Sequence, residues 1–426
     1  GKWESPPHRE TVCVFLSGTM TNKSFEDYRH LAELSLRDLV PIPQAQHDRE
    51  LWQSLIDVGG QPDRNAKGAV LPLVNWSRAR QGEGPLRASQ VKKEHAREAF
   101  SDRLRATPGV VATSDTSCDA SLVIRKWVVE LPESWQEACG EFDEDGAWET
   151  PDGEQVDDAL TAGRARAQLS SGYFTRWIWP DGKKDEEWLE KRRNWFAAER
   201  AILDNLEAKT GQDSPALVRD LALKGKLGES AQRTLERWLV VRPRYFTPGL
   251  GYQPPVEYVD LDPGPGWLAE RAREWASPKG EAGRGVIWYS TPHVGEALRR
   301  AGFETFGAGT NLQTPRGLRV RNPCAAIGVQ GTGKNLQMTQ PGRGWSRCLV
   351  LEYAGNARIW EQMLGRLHRI GQTADEVHVD VLIAGEYREA SFRSARIGAE
   401  YIERTLSSRQ KLRIATYGDD IRGMYR

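Results

Sequence analysis

Residues 347–383 read RCLVLEYAGNARIWEQMLGRLHRIGQTADEVHVDVLI, and this stretch decides the fold. Residues 347–353 form a short apolar run of the kind that makes a buried strand. Asn356 opens a helical pattern expected to run to residue 369, with Ile359, Met363, Leu367 and Ile370 on one face. Apolar alternation resumes at 377–383. The same rhythm extends outward: a strand at 285–290, a helix at 293–301 with Val294, Ala297, Leu298 and Ala301 inward and Gly302 as its stop, a strand at 325–329, and a long final helix at 388–411. Strands separated by helices imply an α/β fold, a parallel sheet with helices on both faces.

The rest of the chain reads differently. Residues 11–16 (TVCVFL) are expected as a buried strand ended by Ser17-Gly18-Thr19. A helix follows with Phe25, Tyr28, Leu31, Ala32, Leu34 and Leu39, stopped by Pro41 and Pro43. Helices are expected at 47–58 and 91–106, a loop-rich stretch at 59–84, strands at 109–113 and 121–130, and an acidic linker at 137–158. Residues 160–240 are helical and Trp-rich; Trp188 and Trp195 share a face, which points to packing, with base stacking as the sharper alternative. Pro243, Pro248, Pro254 and Pro255 mark a boundary. Three segments result: 1–45, 46–255 as linker and helical insertion, and 256–426.

Net charge is zero, 59 basic against 59 acidic residues, so whole-chain charge says nothing about nucleic acid. Its distribution says more. From Thr305 to Leu351 there is no Asp or Glu, yet Arg316, Arg319, Arg321, Lys334, Arg343 and Arg347 fall there, a pattern expected of a phosphate-facing surface. No apolar run approaches a membrane span and no signal-peptide order is present. The five cysteines (Cys13, Cys118, Cys139, Cys324, Cys348) have no metal-ligand spacing, so no metal site is expected, and a reduced, cytoplasmic protein is the simplest expectation. The chain opens Gly1-Lys2-Trp3 without an initiator Met, which is read as a fragment or processed product.

Two stretches mimic a nucleotide site. Gly328 to Lys334 approaches a phosphate loop, and Asp375-Glu376-Val377-His378 spells an acidic box. The first lacks the hydroxyl that ligands Mg²⁺, since Asn335 follows Lys334, and no helix can start there before Pro341. The second precedes its strand, whereas a metal-binding Asp belongs at a strand's C-terminal end. In contrast, Gln362, Arg366 and Arg369 fall at i, i+4 and i+7. Two arginines and a glutamine presented together suit the charge that develops on a transferred phosphoryl group; a surface helix with salt-bridged arginines is the plain alternative.

Here a family resemblance decides. Residues 360–372 (WEQMLGRLHRIGQ) look like motif VI of the Swi/Snf-like branch of superfamily two helicases, with Gln362, Gly365, Arg366, His368, Arg369, Gly371 and Gln372 matching position for position. GTGKNLQ (331–337) resembles motif V, GVIWYST (285–291) stands in the place of motif IV, and LSGTMTN (16–22) resembles motif III, in the family's order. The resemblance implies that 256–426 is a second RecA-like lobe, 1–45 the tail of a first, and the middle a variable insertion of phage-type character. It implies that Arg366 and Arg369 are catalytic arginine fingers, and that Gln362, Gly365 and Gly333 line the ATP side with them. Thr332, Lys334, Asn335 and Gln337 would touch nucleic acid, while Ser17, Gly18 and Thr19 would couple the lobes. His368 is expected to pack rather than to transfer protons.

The expected function is therefore the C-terminal part of a DNA-dependent ATPase, a translocase or helicase acting on duplex DNA. ATP and Mg²⁺ would be held mainly by an upstream part, because no GxxxxGK[ST] loop occurs in the 426 residues. Alone, the chain is expected to be inactive; replication, repair or phage proteins are further expected partners. A non-catalytic nucleic-acid-binding or scaffold module is the alternative from another class, and a self-contained P-loop kinase using 328–335 a third.

Overall fold

The computed structural model describes residues 13–15, 21, 23–62, 64–111, 118–140, 148–149, 155–156, 159–210, 215–249, 251–278, 280 and 283–423. Four helices come first: α1 (Glu26–Leu36), α2 (Gln46–Ile56), α3 (Arg64–Arg80) and α4 (Lys93–Ala106). Strand β1 (Ser121–Val129) and helix α5 (Glu133–Gly140) follow, then a small hairpin of β2 (Trp148–Glu149) and β3 (Gln155–Val156), and α6 (Ala159–Leu169). Next comes an antiparallel ribbon of β4 (Tyr173–Trp177) and β5 (Val256–Asp260). Helices α7 (Glu186–Thr210), α8 (Pro215–Leu223) and α9 (Glu229–Val241) lie between its two strands in the chain. The last part alternates: α10 (Gly266–Ala276), β6 (Val286–Tyr289), α11 (Pro292–Arg300), β7 (Thr305–Phe306), β8 (Cys324–Ala326), α12 (Ile327–Gln330), β9 (Arg347–Val350), α13 (Ala357–Leu364), β10 (Glu376–Ala384), α14 (Gly385–Leu406), α15 (Lys411–Ile414), β11 (Thr416–Tyr417) and β12 (Ile421–Arg422).

The central sheet runs β11-β1-β10-β9-β6-β8-β7, with β12 also paired to β1, and every pairing is parallel. Its strands bury both faces with period two, as a sheet covered by helices on both sides requires. Val286, Trp288, Cys348, Val350, Val377, Val379 and Val381 face one core with α13, α14 and the α1–α4 layer. Ile287, Tyr289, Leu349, Leu351, Leu382 and Ala384 face the other with α10 and α11. The α/β expectation of a parallel sheet with helices on both faces holds.

Several local expectations change. β1 lies in the segment set aside as linker and insertion, yet it pairs with β10 along its whole length, Ser121 opposite Glu376 to Val129 opposite Ala384. A boundary at 256 would therefore cut the central sheet, with β1 on one side and the strands it pairs with on the other. The 59–84 stretch is not loop: α3 spans most of it with Pro72 inside. Ala66, Val70, Leu73, Val74 and Ser77 make a buried stripe at helical spacing that outweighs the glycines and prolines. The strand expected at 325–329 stops at Ala326 and turns into α12. Residues 110–111 are not strand, and half of the expected 11–16 strand lies outside the described residues, with 13–15 irregular. Within the insertion, Trp188 and Trp195 are buried with Val218, Trp238 and Val241 in a small core of its own, so packing explains the tryptophans.

The N-terminal helices are tied to α14 by a buried carboxylate. Asp57 accepts from the Phe25 amide at 3.3 Å and from the Tyr401 hydroxyl at 3.1 Å. Burial pushes its carboxyl up to about 6, against 3.8 when exposed. The folded chain therefore binds the extra proton between those values. The stabilisation is complete below pH 3.8 and is lost as pH rises through 6. Asp57→Asn keeps the acceptor and cannot ionise. It is expected to raise the melting temperature at pH 7.5, by a stability gain on the order of 2–3 kcal/mol, and to flatten the loss of stability between pH 4 and 7. Parallel melting curves for the two proteins across that range would expose an unchanged slope, which would contradict this account.

Candidate functional site

The site is a seam between two turns. The first follows β8: α12 makes a single turn, and Gly331 follows where a Cβ would lie 2.4 Å from the Ile327 carbonyl oxygen. Gly333 adopts φ +66°, a left-handed conformation that glycine takes without strain. Gln330, fully buried, donates from Nε2 to the Thr310 carbonyl at 2.8 Å and accepts from the Leu312 amide at 3.2 Å, which pins the turn to the preceding loop. Leu336 is fully buried and anchors the other end. Between these anchors Thr332, Gly333 and Asn335 are exposed and Lys334 and Gln337 half-buried.

The second turn follows α13. Asn356 caps that helix, its side chain accepting from the Arg358 amide at 2.9 Å. The helix ends at Leu364 instead of reaching 369, and Gly365 closes it with its amide on the Glu361 carbonyl at 3.0 Å. Arg366 and Arg369 thus lie beyond the helix, and the expectation that they project from a helix face gives way to a turn that aims both inward. Ile370, expected on the buried face, is 66% exposed, whereas Met363 and Leu367 are buried as expected. The same early helix end explains the difference, because periodicity no longer governs after Gly365.

The two turns are laced together by hydrogen bonds. The Leu336 amide donates to the Arg366 carbonyl at 3.1 Å, and Gln337 Nε2 to the Ile370 carbonyl at 3.1 Å. Arg366 Nη1 donates to the Lys334 carbonyl at 3.0 Å and its Nε to the Gln362 carbonyl at 2.9 Å. Arg369 Nη1 donates to the same Lys334 carbonyl at 3.3 Å and to Asn335 Oδ1. One peptide oxygen therefore holds both guanidinium groups. Gln372 Nε2 closes the far side on the Trp345 and Leu367 carbonyls, each at 3.1 Å.

The electrostatics of this seam are one-signed. Among the described residues no carboxylate pairs with Lys334, Arg366 or Arg369. Burial, then the neighbouring Arg369 charge, lowers the Arg366 pKa. Such an arrangement leaves positive potential uncompensated and suits an incoming anion. His368 is buried, with Nε2 2.8 Å from the Ala120 carbonyl, so it carries its proton there and ties this turn to the start of β1. Burial lowers its pKa; a neutral, bonded imidazole inside the fold is a packing group.

The rejected nucleotide motifs sit where their chemistry fails. No helix starts at Lys334, and Glu376 begins β10 at an exposed strand entrance, with Oε2 3.1 Å from His378 Nε2. Ser17, Gly18 and Thr19 lie outside the described residues.

Sequence reading missed a second polar cluster. Helix α11 leads from β6 toward one edge of the sheet and α13 from β9 toward the other. The crevice outside the ends of β6 and β9 is thus the switch point where α/β sheets usually take ligands. Here Glu352, 2% exposed, fills it. Its Oε2 accepts from the Ser290 and Thr291 amides at 2.9 and 3.0 Å, at the N-terminus of α11, and its Oε1 from Ser171 Oγ at 2.7 Å. Arg388 Nη2 lies 3.9 Å away and bonds Ser171 Oγ at 2.6 Å. An internal carboxylate thus takes the place at a helix N-terminus that a phosphate takes elsewhere. The available signal was a lone acid ending the apolar run 347–353.

No protein-family model matches the chain, and no curated protein matches it. Among solved structures, it is similar to the C-terminal part of the Fun30 ATPase domain, at 12% sequence identity and a TM-score of 0.31, covering 65% of this chain and 89% of that one. A likeness of that size adds nothing to the reading of the seam. Among the described residues, no helix is long and apolar enough to cross a membrane.

Proposed function

We propose that this chain is the arginine-supplying lobe of a Swi/Snf-like nucleic-acid-dependent ATPase, with duplex DNA as its partner. The observation that carries this is the single Lys334 carbonyl holding both Arg366 and Arg369. The side chain of that residue is a cation suited to a phosphodiester, and its backbone restrains the two groups suited to a γ-phosphate. Displacement of the 332–337 turn by nucleic acid would thus loosen the hold on Arg366 and Arg369 directly.

In this reading ATP and Mg²⁺ are held mainly by a partner lobe, and ATP supplies the phosphoryl group transferred to water. Arg366 and Arg369 present guanidinium groups to the charge that develops there, with Gln362, Gly365 and Gly333 shaping their approach. Thr332, Lys334, Asn335 and Gln337 meet the nucleic-acid backbone. Ser17, Gly18 and Thr19 carry the link to the first lobe. The filled switch point supports this division of labour, because the crevice that could take a nucleotide on this sheet is occupied by Glu352.

Lys334→Ala tests the reading. It removes the ammonium and keeps the carbonyl that holds the arginines. Titration of a fluorescent DNA duplex at several salt concentrations is expected to show weaker binding and a log–log salt slope smaller by about 0.9, one phosphate contact. Unchanged affinity and slope would sink the nucleic-acid assignment.

A further inference from the structure

Beside the seam stand two loops whose arginines have no assigned role. Residues 339–344 form a tight excursion between Met338, whose amide donates to the Trp345 carbonyl at 3.0 Å, and Trp345, whose amide donates to the Leu336 carbonyl at 3.0 Å. Its tip is the four-residue turn Gln340-Pro341-Gly342-Arg343, closed by the Arg343 amide on the Gln340 carbonyl at 3.1 Å. Proline second and a glycine at φ +74° third are the residues a type II turn demands. Gly344, at φ +79°, has no room for a side chain, since a Cβ would lie 2.1 Å from the Gln337 carbonyl oxygen.

The neighbouring loop is joined to it. The Gly344 amide donates to the Leu318 carbonyl at 3.1 Å. Beneath both lies buried Arg284, donating to the Leu318 carbonyl at 2.8 Å, the Arg319 carbonyl at 3.2 Å and the Gly344 carbonyl at 3.3 Å. Trp345 Nε1 adds bonds to the Val320 and Arg321 carbonyls at 3.2 and 3.3 Å. This scaffold sets Arg319 and Arg343 one residue to either side of a shared hydrogen bond, both exposed. Neither guanidinium has a carboxylate partner among the described residues. The nearby cations differ: Arg316 lies 3.7 Å from Glu304, and Arg321 Nη2 donates to the Pro278 carbonyl.

We propose that Arg319 and Arg343 form a second phosphate-contact ridge that extends the nucleic-acid track beyond the 332–337 turn. The proposal rests on the nucleic-acid reading of that turn. Three features favour a phosphodiester backbone over an acidic protein surface. The excursion is braced by backbone bonds, its exposed charge is of one sign, and the Leu336–Trp345 and Met338–Trp345 bonds make it continuous with the turn that carries Lys334. Guanidinium groups held on rigid loops suit phosphate oxygens in fixed register.

Arg319→Ala/Arg343→Ala is measured beside Lys334→Ala on the same fluorescent duplex across a salt series. Arg299→Ala/Arg300→Ala serves as control, removing two exposed arginines already paired with Glu296. The ridge variant is expected to lower the salt slope by about 1.8, at 0.9 per contact, with an unchanged melting temperature. Arg319→Lys/Arg343→Lys should restore the slope, and the control should leave it alone. A wild-type slope in the ridge variant while Lys334→Ala lowers it overturns the ridge and leaves the turn standing. The opposite result removes the turn, and with it the proposal that the ridge extends its track. No loss in either, or no binding of duplex by the chain, overturns both.

Discussion

Arg369→Ala, assayed in a polypeptide that joins this chain to a phosphate-loop lobe, is expected to lose nucleic-acid-stimulated ATP hydrolysis by about 10³–10⁵-fold, the range for removal of an arginine finger. ATP affinity and the melting temperature should hardly change. Among the described residues Arg369 is tethered only through Nη1, to the Lys334 carbonyl and Asn335 Oδ1, at the edge of the seam, so its side chain contributes little to the fold. Arg366 behaves differently. It is half-buried and bonds back to the Gln362 carbonyl within its own turn, so Arg366→Ala should lower both hydrolysis and stability. Arg369→Lys should recover little, because an ammonium cannot span two phosphate oxygens as the planar fork does. Single-turnover hydrolysis with and without DNA separates these cases. Undiminished turnover in Arg369→Ala would exclude the finger assignment.

The largest expected effect on stability lies in the sheet. Asp380 is fully buried on β10. Its Oδ1 lies 2.8 Å from Arg125 Nη2 on β1, and its Oδ2 accepts from Trp275 Nε1 at 2.8 Å. Arg347 Nη2 on β9 is 3.5 Å from Oδ2, and its guanidinium carbon stands 3.9 Å over the Trp275 ring. One carboxylate thus bridges three adjacent strands and α10. Asp380→Ala leaves a nearly buried guanidinium without its carboxylate and an indole N–H without its carboxylate acceptor, a loss of about 3–5 kcal/mol for a broken buried pair. Replacing the three charged residues with apolar ones, Asp380→Leu with Arg125→Leu and Arg347→Met, should recover the part of that loss due to the stranded guanidinium groups, because desolvation offsets much of what a buried pair gains, while the Trp275 N–H still lacks its acceptor. Urea melts of both variants test this. A single variant as stable as the parent would show the charges to be solvated.

How much of this was legible follows from which forces act locally. The strand–helix rhythm from 285 onward was readable because period-two and helical alternation are set by burial on two faces. The gathering of Arg366, Arg369, Lys334 and Asn335 was foreshadowed by motif order, though the geometry was misread. Spacing projected the arginines along a helix, whereas Gly365 ends it and the contacts are made by turn backbone. Bonds from guanidinium to carbonyl leave no trace in residue pattern. Glu352, Ser171 and Arg388 were invisible for a related reason, since their partners lie far apart in the chain. The role of residues 121–129 was missed because a strand's neighbours are not written in its own residues; only its existence is. The Trp-rich insertion was read correctly as packing because indoles at one-face spacing need a core.

That strand also sets a clock. Arg125 and Asp380 are 255 residues apart, and among the described residues every strand that hydrogen-bonds to β1 lies at residue 376 or later. At translation speeds of about 5–20 residues per second, roughly 10–50 s separate the emergence of β1 from that of its first partner. Throughout that interval the apolar faces of Leu122, Ile124, Trp127 and Val129 are offered along two open edges, the state most prone to wrong pairing. Arg125 and Lys126, mid-strand, are the charges that discourage it. A nascent chain of this protein has to be kept waiting before its sheet can close.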